Sequence, residues 1–217
     1  MTEAAQAQPS KWRKVVFQAV VGMICGAAGM SGLLWLLDGQ AVRTPDASVI
    51  VAAGVGLIYF ITGLFVGAGA LMPGLGARLL NVADREELIE QRAMLGGSAV
   101  AMTLLGAALV ALAASHPSVA IVPPMTAFGA FVAAMAVSTV ISARMWPSYD
   151  ELWRALVRES SAMFAYLVFA VLALWGAAAA VGLIAGPGPL DLLSLAFGGF
   201  LLASFIAVGQ RGMMLPT

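Results

Sequence analysis

Eleven carboxylates, eleven lysine or arginine side chains, one histidine and one cysteine carry nearly all the titratable chemistry of the 217 residues. Their spacing assembles none of the usual reaction centres. His116 has no second histidine with which to hold a haem or a metal, and the acids are too scattered to bind metal for phosphotransfer. Cys25 lacks a disulfide partner, and no apolar stretch supplies a histidine base to activate a serine. An enzyme is therefore not expected, nor is any cofactor or metal. What remains is neutral: the hydroxyls of Tyr59, Thr62, Ser98, Thr103, Thr126, Ser138, Thr139, Tyr166, Ser194 and Ser204, all within apolar surroundings. Hydroxyls can line a path for a small, weakly polar molecule, although they can also bond carbonyls of their own helix.

The elements that must position these groups follow from composition. Hydrophobic residues make up 61% of the chain and charged residues 10%, with mean hydropathy +0.96. Soluble domains carry roughly 25% charged residues. The deficit excludes a soluble enzyme, a disordered tail and a nucleic-acid binder, and the balanced charge draws no polyanion. The lipid bilayer is the expected surrounding. Six runs, 15–37, 48–72, 94–114, 120–142, 161–185 and 190–208, each approximate the ~20 residues that cross a bilayer as helix. The first five contain no charge, and the sixth holds Asp191 at its edge. The expected fold is an all-α membrane protein, a six-span transmembrane helical bundle with two short amphipathic cytoplasmic helices. Tails at 1–14 and 209–217 flank the membrane domain at 15–208.

Basic residues orient the spans. Lys11, Arg13, Lys14, Arg78, Arg85, Arg92, Arg144, Arg154, Arg158 and Arg211 fall on one side, and Arg43 alone on the other. This bias places both termini in the cytoplasm, and the compact loops fit a bacterial inner membrane. The first apolar run extends to Leu37, well past a signal-peptide core of roughly 7–15 residues, and Ile24 before Cys25 does not suit a lipoprotein cleavage site. An uncleaved anchor is expected.

Three motif comparisons fail on particular residues. Glu86-Glu87 followed by Arg92 is one residue longer than the Glu-Glu-x-x-x-Arg of prenyl-endopeptidase-like membrane proteases, and their histidines are missing. Asp38-Gly39-Gln40-Ala41-Val42-Arg43 displaces the alanine of the lipid-head-group transferase motif. A single asparagine, Asn81, cannot supply the two Asn-Pro-Ala boxes of a water or glycerol channel.

Two connections carry most of the remaining charge. Asp84 and Glu87 have capping-box spacing, and Ser148 with Glu151 matches Ser-x-x-Glu directly. Leu152, Trp153, Leu156 and Val157 then share one helical face, as in a helix lying at the membrane surface. Glu87, Glu90, Arg92, Asp150, Arg154 and Arg158 form a candidate docking face for a membrane or cytoplasmic protein partner. The plainer alternative is a helix that simply begins the next span. An acid followed by Glu-Leu before each span hints at duplication.

Within the spans, Gly22 and Gly26 form a Gly-x-x-x-Gly step, repeated by Gly63 and Gly67. Such steps let helices approach closely in lipid, either within one chain or across a homo-oligomer seam. Pro123-Pro124 should open the fourth span, Asp191 should cap the sixth, and Trp175 should serve packing. The reading that leads from sequence is a non-catalytic, multi-pass structural or accessory subunit with a cytoplasmic docking face. The alternative is an uncoupled or partner-driven permease for a small, weakly polar molecule.

Overall fold

The computed structural model describes residues 26–32, 35, 46–72, 89 and 91–211. Among them there is no strand. Residues 26–32 are helical, and five full helices follow. These are α1 (Ala47–Leu71), α2 (Arg92–Ala114), α3 (Pro124–Met145), α4 (Glu151–Ala180) and α5 (Pro189–Gln210). All five are long and apolar enough to cross a membrane. Helix is the favoured form for such stretches because it satisfies every interior backbone amide without water.

The helices pack in the order α3–α2–α1–α5–α4, with α1 against α2 the most extensive contact. That contact is made by small residues. A methyl placed on Gly106 would lie 2.6 Å from the Gly56 carbonyl oxygen and 2.8 Å from Phe60 Cα. One on Gly63 would meet the backbone of Thr103 and lie 2.8 Å from the Ala99 carbonyl oxygen, while Gly67 faces Ala99 Cβ at 3.4 Å. Gly63 and Gly67 therefore lie on the α1–α2 seam, which Gly56 and Gly106 extend. The glycines of the first span divide differently. Gly26 has nothing within 4 Å of its added methyl, Gly29 is set against Leu57 and Ile61, and Gly22 lies outside the described residues. A small core of Val49, Ala52, Ala53, Ala113 and Val119 seals one end of the bundle, with Met30 and Leu190 packed on it.

Three expectations need correction. Of the two short cytoplasmic helices expected, the one after Pro147 is not a separate element, in line with the plainer alternative of a helix that begins the next span: a 3₁₀ turn at Trp146–Ser148 leads into α4, which runs unbroken for 30 residues. At 1.5 Å per residue it is about 45 Å long, against a hydrocarbon core of about 30 Å. Its charged first turns thus need not enter lipid. Second, the cap of that helix is Asp150, whose Oδ1 accepts from the Trp153 amide at 2.8 Å. Ser148 instead donates to the Met145 carbonyl at 2.7 Å, because the Pro147 turn holds it against the preceding helix.

Third, the fifth span ends at Ala180 rather than residue 185. Gly182 adopts φ +76°, its amide donates to Ala179, and the Leu183 amide donates to Ala178. These two bonds form a Schellman close, in which glycine accepts the left-handed conformation at least cost. Trp175 consequently sits near the helix end, where its indole N–H donates to the Ala185 carbonyl at 2.8 Å. The fourth span begins as helix at Pro124 rather than at residue 120, but the expected opening and capping residues of the fourth and sixth spans agree with the structure. Pro124 opens α3 after Pro123, and Asp191 Oδ2 accepts from the Gly188 amide at 2.8 Å. Of the 78–92 segment, only residues 89, 91 and 92 are described; Glu87 and Glu90 lie outside them, and Arg92 is the first residue of α2.

Candidate functional site

The packing order leaves a cleft of about 570 Å³ between the α2–α3 pair and the α4–α5 pair, with α1 contributing Tyr59. From α2 come Ser98, Ala101, Met102 and Leu105, spaced as one helical stripe. From α3 come Met135, Ser138, Thr139 and Ser142, again at three- and four-residue steps. The facing wall is carbon: Phe164 of α4, with Ala196, Phe197 and Phe200 of α5. The size falls in the usual range of roughly 300–1,000 Å³ for small-molecule sites.

An aromatic cluster closes one part of the cleft. Tyr59, 5% exposed, donates its hydroxyl to the Phe197 carbonyl at 2.9 Å and sets its ring edge-on to Phe197 at 5.8 Å. Phe131 of α3 approaches the same Phe197 ring edge-on at 6.0 Å. Phe197 is therefore held between α1 and α3. Phe164 and Phe200 meet edge-on at 5.6 Å and hold the α4–α5 wall together.

The hydroxyls along the cleft are differently occupied. Thr139 donates to Met135 at 2.8 Å within its own helix, and Ser138 makes a long contact of 3.5 Å to the Ala101 carbonyl. Ser98 and Ser142 have no hydrogen-bond partner among the described residues. Of the ten hydroxyls singled out from sequence, Tyr59, Ser98, Ser138 and Thr139 line the cleft. Thr103 packs on Gly63 and bonds Ala99; Ser194 and Ser204 each bond the carbonyl four residues earlier. Thr126 and Tyr166 are exposed on outer helix surfaces, and Thr62 does not line the cleft. Ser142 went unanticipated, although its four-residue step from Ser138 was a readable signal.

The proposed docking charges are largely engaged within the chain. Asp150 caps α4, Arg154 Nη2 donates to the Pro147 carbonyl at 3.2 Å, and Arg158 Nε donates to the Arg154 carbonyl at 3.3 Å. Arg154 Nε is enclosed without a partner. Glu159 and Arg211, not predicted as a pair, join α4 to the end of α5 through bonds of 2.8 and 2.5 Å. Donating to the Glu159 carboxylate pushes the already high Arg211 pKa higher. Elsewhere, His116 Nδ1 lies 2.9 Å from Ser118 Oγ and 3.9 Å from Asp46 Oδ2, a clasp between the α2–α3 loop and the start of α1. No group of three or more potential metal ligands occurs among the described residues.

The chain matches no protein-family model, no curated protein and no solved structure. The functional reading therefore rests on the cleft and its side chains.

Proposed function

We propose that this protein is a membrane permease that binds a small, weakly polar molecule in the cleft between the α2–α3 and α4–α5 pairs. The observation that carries the reading is the cleft itself, with hydroxyls from α1, α2 and α3 converging on one apolar space. Among the described residues, no ionisable side chain other than the Tyr59 phenol lines it, which fits an uncoupled passage rather than one driven by protons or sodium. The Phe131–Phe197–Tyr59 cluster supplies the closure that must open during transit. In this proposal the protein is a six-span bundle in a bacterial inner membrane, with both termini cytoplasmic and the arginine-bearing helix ends facing inward.

The test is solute flux into proteoliposomes, followed by light scattering, with glycerol and urea as probes. Ala196→Phe and Ala101→Phe should each fill the cleft and abolish protein-dependent flux. Flux identical to that of protein-free vesicles would refute the permease. A reporter fused at Pro189 should read external; a cytoplasmic reading would overturn the orientation.

A second reading, a non-catalytic accessory subunit, draws on α4, which buries only Leu156 and Ser160 within the structure. A partner helix, or a second copy, could cover its remaining face. Arg154 and Arg158 at its start are the candidate contact point. Charge reversal at Arg154 and Arg158 should then weaken co-purification of that partner, and an unchanged complex would sink this reading.

A further inference from the structure

The cleft is polar on one wall only. The half-buried Ser98 on α2 and the exposed Ser142 on α3 present hydroxyls with no partner among the described residues, while Phe164, Phe197 and Phe200 opposite present only carbon. A molecule uniformly polar on its surface would leave its groups on the aromatic side unsatisfied, at a cost of kcal/mol for each buried group. A pure hydrocarbon would cover the half-buried Ser98 hydroxyl and give it no partner. The occupant that satisfies both walls has hydrogen-bonding oxygens along one edge and an apolar remainder.

Its charge follows from the same lining. No acid or base among the cleft residues could neutralise an ionic group, and an unpaired charge in such a space is costly. Its size follows from the volume: about 570 Å³ holds on the order of 20 non-hydrogen atoms, given roughly 30 Å³ for each water-sized unit. Its route follows from the packing order. Among the described residues, the cleft lies between the two ends of the helix arc, α3 and α4, which make no extensive contact with each other, and no described element closes that side.

Building on the permease reading, we infer that the natural occupant is an uncharged amphiphile of the monoacylglycerol class. It enters laterally from the bilayer, with its oxygens toward Ser98 and Ser142 and its chain against Phe164 and Phe200.

The experiment uses the purified full chain in lipid nanodiscs with a photoactivatable monolaurin, and maps the labelled residues by mass spectrometry. Label should concentrate on Met102, Met135, Phe164 and Phe200. Unlabelled monolaurin should compete at least about tenfold better than lysophosphatidylglycerol of equal chain length, the factor set by about 1.4 kcal/mol. Ser98→Ala with Ser142→Ala removes the oxygens' partners without altering packing and should weaken cleft labelling several-fold. Ala196→Phe should abolish it. Label spread evenly over the exposed Tyr166, Phe169 and Leu174 of α4, or equal competition by the charged lipid, would overturn the inference. If cleft labelling fails while glycerol flux remains sensitive to Ala196→Phe, the amphiphile class is wrong and the permease stands. Failure of both removes both.

Discussion

Gly106→Ala tests the tightest contact in the bundle. The added methyl would sit 2.6 Å from the Gly56 carbonyl oxygen and 2.8 Å from Phe60 Cα, where ordinary contact begins near 3.4 Å. The obstructing atoms are backbone, so no side chain can rotate aside and α1 must retreat from α2 by most of an ångström. A gap of 0.5–1 Å already forfeits about a quarter to a half of the dispersion attraction at each affected pair. Overpacking of this kind costs about 1–3 kcal/mol, and the rigidity of both backbones argues for the upper value. Replacing glycine by alanine inside a helix returns about 1 kcal/mol, leaving a net loss of about 2 kcal/mol. For a chain of this length that corresponds to a fall in Tm of about 4–8 °C. The control is Gly129→Ala on α3, where the new methyl meets nothing within 4 Å. It should match the parent protein or slightly exceed it. Thermal unfolding of detergent-purified protein, read as loss of the monodisperse peak, separates the two. The reasoning is refuted if Gly106→Ala melts with the parent, or if Gly129→Ala falls as far as Gly106→Ala.

Asp150→Ala should lower stability by about 1 kcal/mol through loss of its helix cap, and Ser148→Ala by a few tenths at most; the same melting measurement ranks them, and the reverse order would restore Ser148 as the cap. Tyr59→Phe keeps the ring against Phe197 and removes only the hydroxyl's bond to its carbonyl. The expected loss is about 0.6 kcal/mol, the average for hydrogen bonds between helices in lipid, whereas a collapse of the fold would show that Tyr59 does more than tether α5. Gly182→Ala forces a side chain onto φ +76° and should cost about 1 kcal/mol; proteolysis at the α4–α5 loop should rise in step, and an unchanged digest would argue against the Schellman close.

How far the sequence carries can be judged at particular residues. The α5 cap was legible because Gly188, Pro189 and Asp191 are neighbours whose chemistry is local. The α4 cap was misassigned because Ser-x-x-Glu and Asp-x-x-Trp overlap, and only the Pro147 turn decides which side chain faces the helix amides. Gly63 and Gly67 were identified as packing positions from spacing alone, but Gly56 and Gly106 were not. These two are separated by 50 residues, and their meeting depends on the register of α1 against α2. The Glu159–Arg211 pair escaped notice for the same reason.

Composition and hydropathy, by themselves, determined that the chain is helical and apolar enough to suit a membrane, since a backbone in lipid has few ways to satisfy its amides. They also show that the six apolar runs hold no charged residue except Asp191 at the edge of the last. Which hydroxyls share a space was decided only by tertiary structure. Ser98, Ser138 and Thr139 look no different in sequence from Thr103, Ser194 and Ser204, yet the first three line the cleft and the others do not. The rotation of each helix about its axis sets that choice, and it is fixed by close contacts such as Gly56 on Gly106, which exist only once the helices have met.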